Sequence, residues 1–398
     1  MNNGGTTTAS FYKERAEKSR VKSLIVTDFF KAYFPIIDRV YKSDVWYLDL
    51  FAGPGRYDDG EASTPLQLLD VVQGFRDDNI RQKLRIVFND KDATYTRTLQ
   101  QNIDAHPVMS QLRYKPQVLN KSAGEIDLSS YTRENLPIFS FIDPWGYKDV
   151  SAEQVWTLVR NLGSDCVIFF NANRILQDLS KPANAQDFQS MFGSEFEEAK
   201  RIQQDPVMPQ RKKAELFFTL FSKNIYLTMK REEYKNFRLF VLPFSFEADD
   251  KEKISHYILF VSKAHKAIQE MRRVMLAHGN TVAGAFGYDN KDALQITLFS
   301  RSDFSIDVIE CAIKEMISAV PQLCQSRFTI DTLSEMLDRY EMSNRFCVLP
   351  CSRNEIKDAV ERLDGQGFIE PIIPQGKRIK KRITYDREFQ IKDTILRK

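Results

Sequence analysis

The sequence predicts a doubly wound, Rossmann-like α/β fold, and two observations support this prediction. Apolar segments typical of buried strands alternate with helical segments up to about residue 172, which is the pattern of a parallel sheet with helices on both faces. Three of the apolar segments end in an acid and a turn signal, at Asp49, Asp90 and Asp143. Because the carboxyl ends of parallel strands meet at one edge of a sheet, we expect these acids to line one crevice.

The turn after the first strand has the pattern D-x-F-x-G-x-G, formed by Asp49, Phe51, Gly53 and Gly55. Glycines let the backbone approach a ligand, because a Cβ at either position would block the ligand or the turn. The turn lacks the third glycine of a dinucleotide fingerprint and the Gly-Lys-Ser/Thr of a phosphate loop. The pattern is characteristic of sites for S-adenosylmethionine (SAM), in which the loop passes under the methionine half and the sugar.

The second strand is predicted at residues 85–88, and Asp90 follows it closely. An acid at this position is placed to accept hydrogen bonds from both hydroxyls of a ribose. The alternative for Asp90, as for Asp49 and Asp143, is that the acid only caps the helix that follows its strand.

The third strand, predicted at residues 138–142, ends in Asp143, Pro144, Trp145 and, after one glycine, Tyr147. In base amino-methyltransferases an acid and a proline carbonyl at this strand tip accept hydrogen bonds from an exocyclic amine. An aromatic ring, here Trp145 or Tyr147, stacks on the flipped base. The order D-P-W-G-Y differs from D-P-P-Y and shifts the ring, which counts against amino-methylation. The alternatives are that Asp143 only caps a helix or that Trp145 only packs on the sheet.

Three segments resemble the three-Cys-motif partner family: Y-L-D-L-F-A-G-P-G at residues 47–55, S-T-P-L at 63–66 and F-I-D-P-W-G-Y at 141–147. An early basic helix and a late hairpin, followed by a histidine-containing turn and a methionine-rich helix, extend the resemblance over about residues 20–280. Members of this family are bacterial and phage proteins with a SAM-methyltransferase-like core. The resemblance implies a SAM-dependent methyltransferase and a separate radical-SAM-like partner protein, which carries the three cysteines. It implies little about the substrate.

The composition limits the classes of partner. Lys and Arg number 57 against 54 for Asp and Glu, so any contact with nucleic acid must come from a local basic patch. No apolar run approaches the length of a membrane span and the first residues lack signal-peptide character, which predicts a soluble cytoplasmic protein without a membrane contact. Cys347 and Cys351 form a C-x3-C pair, but no histidine follows His278, so we expect free thiols and no metal site.

The chain is predicted to contain two domains after a flexible N-terminus at residues 1–18. A methyltransferase-like domain covers residues 19–285, with a helical insertion over the crevice at about residues 176–230. Residues 286–398 form the second domain.

The second domain has the order of elements of a winged-helix module. Helices predicted at residues 329–340 and 352–363 precede strands predicted at 368–373 and 379–385. The turn between the strands is basic, with Lys377, Arg378, Lys380 and Lys381, and hairpin tips of this kind contact phosphates. The alternative is a winged helix that serves protein docking or dimerisation and does not touch nucleic acid.

Two functions are therefore consistent with the sequence. The first is a SAM-dependent methyltransferase that acts on nucleic acid or on a modified base. The second is a catalytically silent binding module of the same fold, such as a partner protein in a defence or phage system.

Overall fold

An eight-stranded sheet lies at the centre of the part of the chain that the structure describes. The structure is a computed structural model and describes residues 8–144, 146–231, 238–247, 253–279, 287–288, 301–372 and 383–392. The strands of this sheet are β1 (Val45–Asp49), β2 (Leu84–Asn89), β3 (Gln117–Leu119), β4 (Ile138–Ile142), β5 (Asp165–Phe170), β6 (Phe240–Glu247), β7 (Ile254–Ser262) and β8 (Gly287–Tyr288).

The strand order confirms the predicted Rossmann-like sheet. β1 to β5 are parallel in the order β3-β2-β1-β4-β5, and β7 is an antiparallel strand between β5 and β6. The winding direction reverses between β1 and β4, which is where sheets of this type form a ligand crevice. Asp49 lies in register with Phe88 of β2 and Phe141 of β4, so the turns after these three strands start at the same edge.

Helices form most of the connections between the strands. They are α1 (Thr8–Tyr41), α2 (Thr64–Gln73), α3 (Asp78–Arg81), α4 (Ala93–Asp104), α5 (Ser129–Thr132), α6 (Ala152–Val159), α7 (Ala172–Asp178), α8 (Ala185–Phe192), α9 (Phe196–Gln204), α10 (Gln210–Arg231) and α11 (His265–His278). Short 3-10 helices cover Pro107–Ser110, Ala123–Glu125, Pro182–Asn184, Gly193–Glu195 and, further along, Pro321–Gln325. The segment predicted as a helical insertion contains α8, α9 and α10. Because α1 begins at Thr8, a helix already covers part of the segment predicted to be flexible.

The first helix is anchored by a stripe of aromatic side chains. Phe29 packs edge-on against Phe260 of β7, with 4.7 Å between ring centroids, and lies 5.6 Å from Phe139 of β4. Phe30 and Tyr33 extend the same buried face. Each fully buried side chain of this size contributes about 1.5–3 kcal/mol, so α1 has a defined position across the sheet.

The C-terminal residues form a smaller unit with its own hydrophobic core. Its elements are α12 (Arg301–Ala319), β9 (Arg327–Phe328), α13 (Ile330–Arg345), α14 (Arg353–Gly365), β10 (Ile369–Pro371) and β11 (Phe389–Ile391). The strands form an antiparallel sheet in the order β10-β11-β9. The predicted helices at residues 329–340 and 352–363 are present as α13 and α14.

The second strand of this unit is predicted at residues 379–385, of which the structure describes only 383–385, and these three are not in a strand. The partner of β10 is β11, with Ile369 opposite Ile391, whereas residues 383–388 form a turn and irregular backbone. Phe389 and Ile391 alternate into the core, and Ile383 is buried in the same core without being part of a strand. The predicted basic tip lies outside the described residues.

A buried ion pair joins the two units. Arg272 of α11 donates to both carboxylate oxygens of Asp338 on α13, at 2.8 and 2.6 Å, and to the carbonyl of Leu349 at 2.7 Å. His265 Nε2 lies 2.9 Å from Asp338 Oδ2. Burial opposes ionisation of Asp338, but Arg272 and His265 hold its pKa below the ordinary value. The smaller unit is therefore docked through a desolvated polar contact.

In the parts of the chain that the structure covers, none of the helices combines the length and the apolar character needed to cross a membrane.

Candidate functional site

The structure brings Asp49, Asp90 and Asp143 together at the carboxyl edge of the parallel strands. The three carboxylates are close enough for the charges of Asp143 and Asp90 to raise the pKa of Asp49. None of the three caps the helix that follows its strand. The N-cap residues of α2, α4 and α6 are Ser63, Asp92 and Ser151, so the capping alternative is wrong for all three acids.

The glycine turn after β1 is held by hydrogen bonds between backbone and carboxylates. Asp49 Oδ1 accepts from the Phe51 N–H at 3.1 Å, and Asp90 Oδ2 accepts from the Gly53 N–H at 2.9 Å. Gly53 and Gly55 have φ angles of +64° and +87°, which glycine adopts without strain. A Cβ on Gly55 would lie 2.9 Å from Leu99 Cδ1, whereas a Cβ on Gly53 would meet no atom of the described chain within 4 Å. Gly55 therefore serves packing, and Gly53 borders open space where a ligand could lie.

Asp49 is a buried carboxylate whose pKa is strongly raised. It is 1% exposed, and its Oδ2 has no hydrogen-bond partner in the described part of the chain. Burial raises the pKa of Asp49 to about 8, with Asp143 and Asp90 adding to the shift; the Phe51 N–H and the ammonium of Lys22 oppose it. A buried, unpaired carboxylate oxygen is unfavourable, so this atom is suited to a ligand that brings a hydrogen-bond donor or a positive charge.

Asp90 lies beside the glycine turn with both oxygens engaged by backbone. Oδ2 accepts from Gly53 and Oδ1 accepts from the Asp92 N–H at 2.8 Å. Asn120 donates to the Asp90 carbonyl at 2.9 Å and so fixes the backbone here. Each carboxylate oxygen can accept a second hydrogen bond, so the residue retains the acceptor capacity that two ribose hydroxyls need.

Asp143 is paired with a lysine that the sequence prediction did not include in the site. Lys22 of α1 forms a short ion pair with Asp143 Oδ2, and its Nζ lies 4.4 Å from the ring centroid of Phe169 on β5. The side chains of Lys22 and Asp143 are 11% and 20% exposed. A sequence signal existed, because Lys22 falls on the same helical face as Val26, Phe29 and Tyr33, where a charged residue is unusual.

The ring and the hydroxyl of Tyr147 are both engaged by residues of the helical insertion. Its hydroxyl donates to Asp178 Oδ2 at 3.1 Å, and its ring lies 4.2 Å from that of Phe188 in the helical insertion. Burial raises the pKa of Tyr147 to about 12, with Asp178 adding to the shift. With 4% of its surface exposed, Tyr147 supports the loop, and its predicted role of stacking on a base is not consistent with this placement. Trp145, the other predicted ring, lies outside the described residues.

Polar groups of α1 and of the segment after the glycine turn form a further wall of the crevice. Ser23 Oγ lies 2.7 Å from Tyr57 OH and 2.8 Å from Thr64 Oγ1, and Tyr57 OH donates to the Ser19 carbonyl at 3.1 Å. Ser63 Oγ is buried without a hydrogen-bond partner in the described chain. The sequence pointed to this wall only through the S-T-P-L segment, and Ser23 and Tyr57 were not predicted.

The remaining predictions concern the cysteines and the basic residues near the C-terminus. All five cysteines are free thiols, and burial raises the pKa of both Cys347 and Cys351 to about 12. The predicted phosphate contacts lie outside the described residues: Lys377, Arg378, Lys380 and Lys381.

Comparisons with known proteins give only distant structural matches. No protein-family model matches the chain, and no curated protein matches it. A Legionella pneumophila protein is 10% identical, with 64% of this chain and 90% of that chain covered and a TM-score of 0.38. The small RNA methyltransferase HEN1 is 12% identical over 61% of this chain and 26% of its own, with a TM-score of 0.31. The plantazolicin methyltransferase BpumL, in complex with SAH, is 12% identical over 65% and 92% of the two chains, with a TM-score of 0.28. The Rossmann-like assignment therefore rests on the strand order of this chain.

Proposed function

We propose that this protein is a SAM-dependent methyltransferase that acts on nucleic acid or on a modified base. The observation that carries the proposal is the buried Asp49 beside the Gly53 turn at the switch point of the sheet, whose Oδ2 has no hydrogen-bond partner among the described residues. The resemblance of the glycine turn to SAM sites supports the same ligand.

The charge of the crevice supports SAM over a nucleotide that carries phosphates. Asp90 and Asp143 bring two carboxylates to the site and Lys22 brings one ammonium, while the buried Asp49 can release its proton to a cationic ligand. A pyrophosphate would be repelled by this surplus of negative charge, whereas SAM carries a sulfonium and an ammonium. Within the proposal, Asp49, Phe51, Gly53 and Gly55 hold the methionine side and Asp90 accepts the ribose hydroxyls.

The acceptor side of the proposal rests on Asp143 and Pro144. SAM supplies an activated methyl group when bound, so the protein has to align an acceptor lone pair and need not supply strong acid or base catalysis. Asp143 Oδ1 and the Pro144 carbonyl are two acceptors at one strand tip, which suits an exocyclic amine of a base. Trp145 is the ring that we propose to stack on that base, since Tyr147 is engaged elsewhere.

Calorimetric titration with SAM and with its demethylated product tests the cofactor. We expect saturable binding, and Asp90→Ala should weaken it by about 10-fold or more, because a charged acceptor is lost from two hydrogen bonds. Asp58→Ala is the matched control, since Asp58 is an exposed acid in the segment after the glycine turn. If neither ligand produces heat at concentrations well above the micromolar range, the proposal is wrong.

Transfer of labelled methyl from SAM to DNA, tRNA or total RNA tests the reaction. Transfer that is lost in Asp90→Ala would support the methyltransferase. Binding of SAM without transfer to any of these acceptors would favour the second candidate, a catalytically silent binding module. Lys22 occupies Asp143 Oδ2, and this observation supports the second candidate.

The winged-helix module is proposed to contact phosphates through its basic tip. Replacing Lys377, Arg378, Lys380 and Lys381 with Gln should weaken nucleic-acid binding and flatten its salt dependence, since each lost phosphate contact reduces counterion release. SAM binding should be unchanged. Equal gel-shift affinities for variant and parent across a salt series would indicate a protein-docking surface. The radical-SAM-like partner remains a proposal that rests on the family resemblance.

A further inference from the structure

The ion pair between Lys22 and Asp143 lies inside the proposed acceptor site. Lys22 Nζ contacts Asp143 Oδ2 and lies 4.4 Å from the ring centroid of Phe169. Asp143 follows β4, Phe169 belongs to β5, and Lys22 comes from α1, more than a hundred positions away in the chain. Three separate elements therefore converge on one ammonium group.

Side chains on both sides of Lys22 in sequence attach α1 to the segment that follows the glycine turn. Ser23 lies within hydrogen-bonding distance of Tyr57 and Thr64, and Arg20 forms ion pairs with Asp59 and Glu61, both at 2.7 Å. Because these contacts hold the helix, the backbone at Lys22 has a defined position next to Asp143. A largely buried lysine is also unfavourable without a partner, so the pair with Asp143 belongs to the folded structure.

The two oxygens of Asp143 differ in their surroundings. Oδ2 is occupied by Lys22, whereas Oδ1 accepts no hydrogen bond from the described part of the chain. A carboxylate held at one oxygen cannot rotate freely. The result is one oriented carboxylate oxygen at the strand tip.

Resting on the proposed function, we propose that Lys22 is a positioning residue that holds Asp143 so that Oδ1 accepts a hydrogen bond from a neutral acceptor amine. The lone pair of that amine forms the new N–C bond, the C–S bond of the sulfonium breaks, and its electron pair stays on sulfur. The methylated nitrogen then loses one proton, which passes by way of Asp143 Oδ1 to water. A protonated amine has no lone pair and would compete with Lys22 for Asp143, so the inference restricts the acceptor to neutral amines, such as those of adenine or cytosine.

The test compares Lys22→Met, which removes the charge, with Lys22→Arg, which retains it. Labelled SAM is the donor, and total RNA and DNA from cells that lack this protein are the acceptors. We expect Lys22→Met to lower kcat by about 10- to 100-fold, because a small misplacement of a reacting group has effects of this size. SAM affinity should change by less than about threefold, and Lys22→Arg should retain most of the activity. Lys31→Met, at an exposed position on the same helix, is the matched control.

A double-mutant cycle with Asp143→Asn separates positioning from a general structural role, since asparagine keeps an acceptor oxygen but not the charge. If Lys22 acts through Asp143, Lys22→Met should cost much less in the Asp143→Asn background than in the parent. Thermal unfolding of each variant shows whether it is folded.

The inference is overturned if Lys22→Met keeps the parental kcat, or if its loss is equally large in both backgrounds. Failure of the proposed function looks different, because the unsubstituted protein would then bind no SAM or transfer no methyl. In that case the proposed function is wrong, and so is the positioning role of Lys22 that depends on it.

Discussion

Replacing Asp49 with asparagine should stabilise the ligand-free protein and weaken its binding of SAM. Burial raises the pKa of Asp49 from 3.8 to about 8, and the charges of Asp143 and Asp90 contribute to the shift. Near neutral pH the native protein therefore holds a proton that the unfolded chain has released. Asparagine has the same shape and carries no titratable proton, so it removes the free-energy cost of keeping Asp49 protonated in the native state.

The magnitude follows from the difference in proton affinity. One pKa unit corresponds to about 1.4 kcal/mol, so the interval between 3.8 and neutral pH gives an upper limit of about 4 kcal/mol. Relaxation and water entry reduce this value, and we expect a gain of about 1–2 kcal/mol in the free energy of unfolding, or several degrees in Tm. Because the native pKa is above the unfolded one, the stability that Asp49 contributes is complete below about pH 4 and is lost as the pH rises to about 8. The advantage of Asp49→Asn should therefore grow over that interval.

Unfolding measured at about pH 5 and about pH 8 checks both the sign and the pH dependence. Asp58→Asn, at an exposed acid in the same region, should show no such trend. In parallel, calorimetry should show SAM binding weakened by about 10-fold or more in Asp49→Asn, because asparagine cannot ionise when the cationic ligand binds. An Asp49→Asn variant that is no more stable than the parent at the higher pH, or that gains equally at both, would refute the argument.

Three further substitutions test other contacts. Gly55→Ala should lower the free energy of unfolding by about 1–2 kcal/mol, since its φ of +87° disfavours a side chain and the new Cβ would crowd Leu99; a denaturant titration measures this. Arg272→Leu should cost about 3–5 kcal/mol by leaving Asp338 buried without its cation, and adding Asp338→Leu should recover much of the loss; equal stability of single and double variants would contradict this. Tyr147→Phe should cost about 1 kcal/mol through its lost hydrogen bond and leave SAM affinity unchanged, so a large drop in affinity would place its hydroxyl in the ligand site.

The strands and the acids that follow them could be predicted because their signals are local. A buried parallel strand is a short apolar run, and the glycines and acids that end it stand next to it in the sequence. The position of Asp49, Asp90 and Asp143 at one edge then follows from the geometry of any parallel sheet. The same reasoning could not decide whether the acids cap helices, because the residue at which each helix begins is fixed only in the folded chain, at Ser63, Asp92 and Ser151.

The rest of the site depends on contacts between distant segments. The pairing of Lys22 with Asp143 is set by where α1 crosses the sheet, which the aromatic stripe determines through packing. The loss of Tyr147 as a stacking ring follows from the position of Phe188 in the insertion. In the smaller unit, the partner of β10 depends on a long-range backbone register, Ile369 opposite Ile391, and burial alone does not identify it because Ile383 and Ile391 are both buried in the core.

The contact between Arg272 and Asp338 has a consequence for how this chain can be divided. Cutting near residue 285 would separate a buried guanidinium from its carboxylate and uncover Met342 and Val348, which pack into the core of the large sheet. A fragment with either exposed face would be prone to associate with itself, and a smaller unit transplanted from elsewhere would have to reproduce the same polar contact. Exchange of the C-terminal part between proteins would therefore require matching changes on α11.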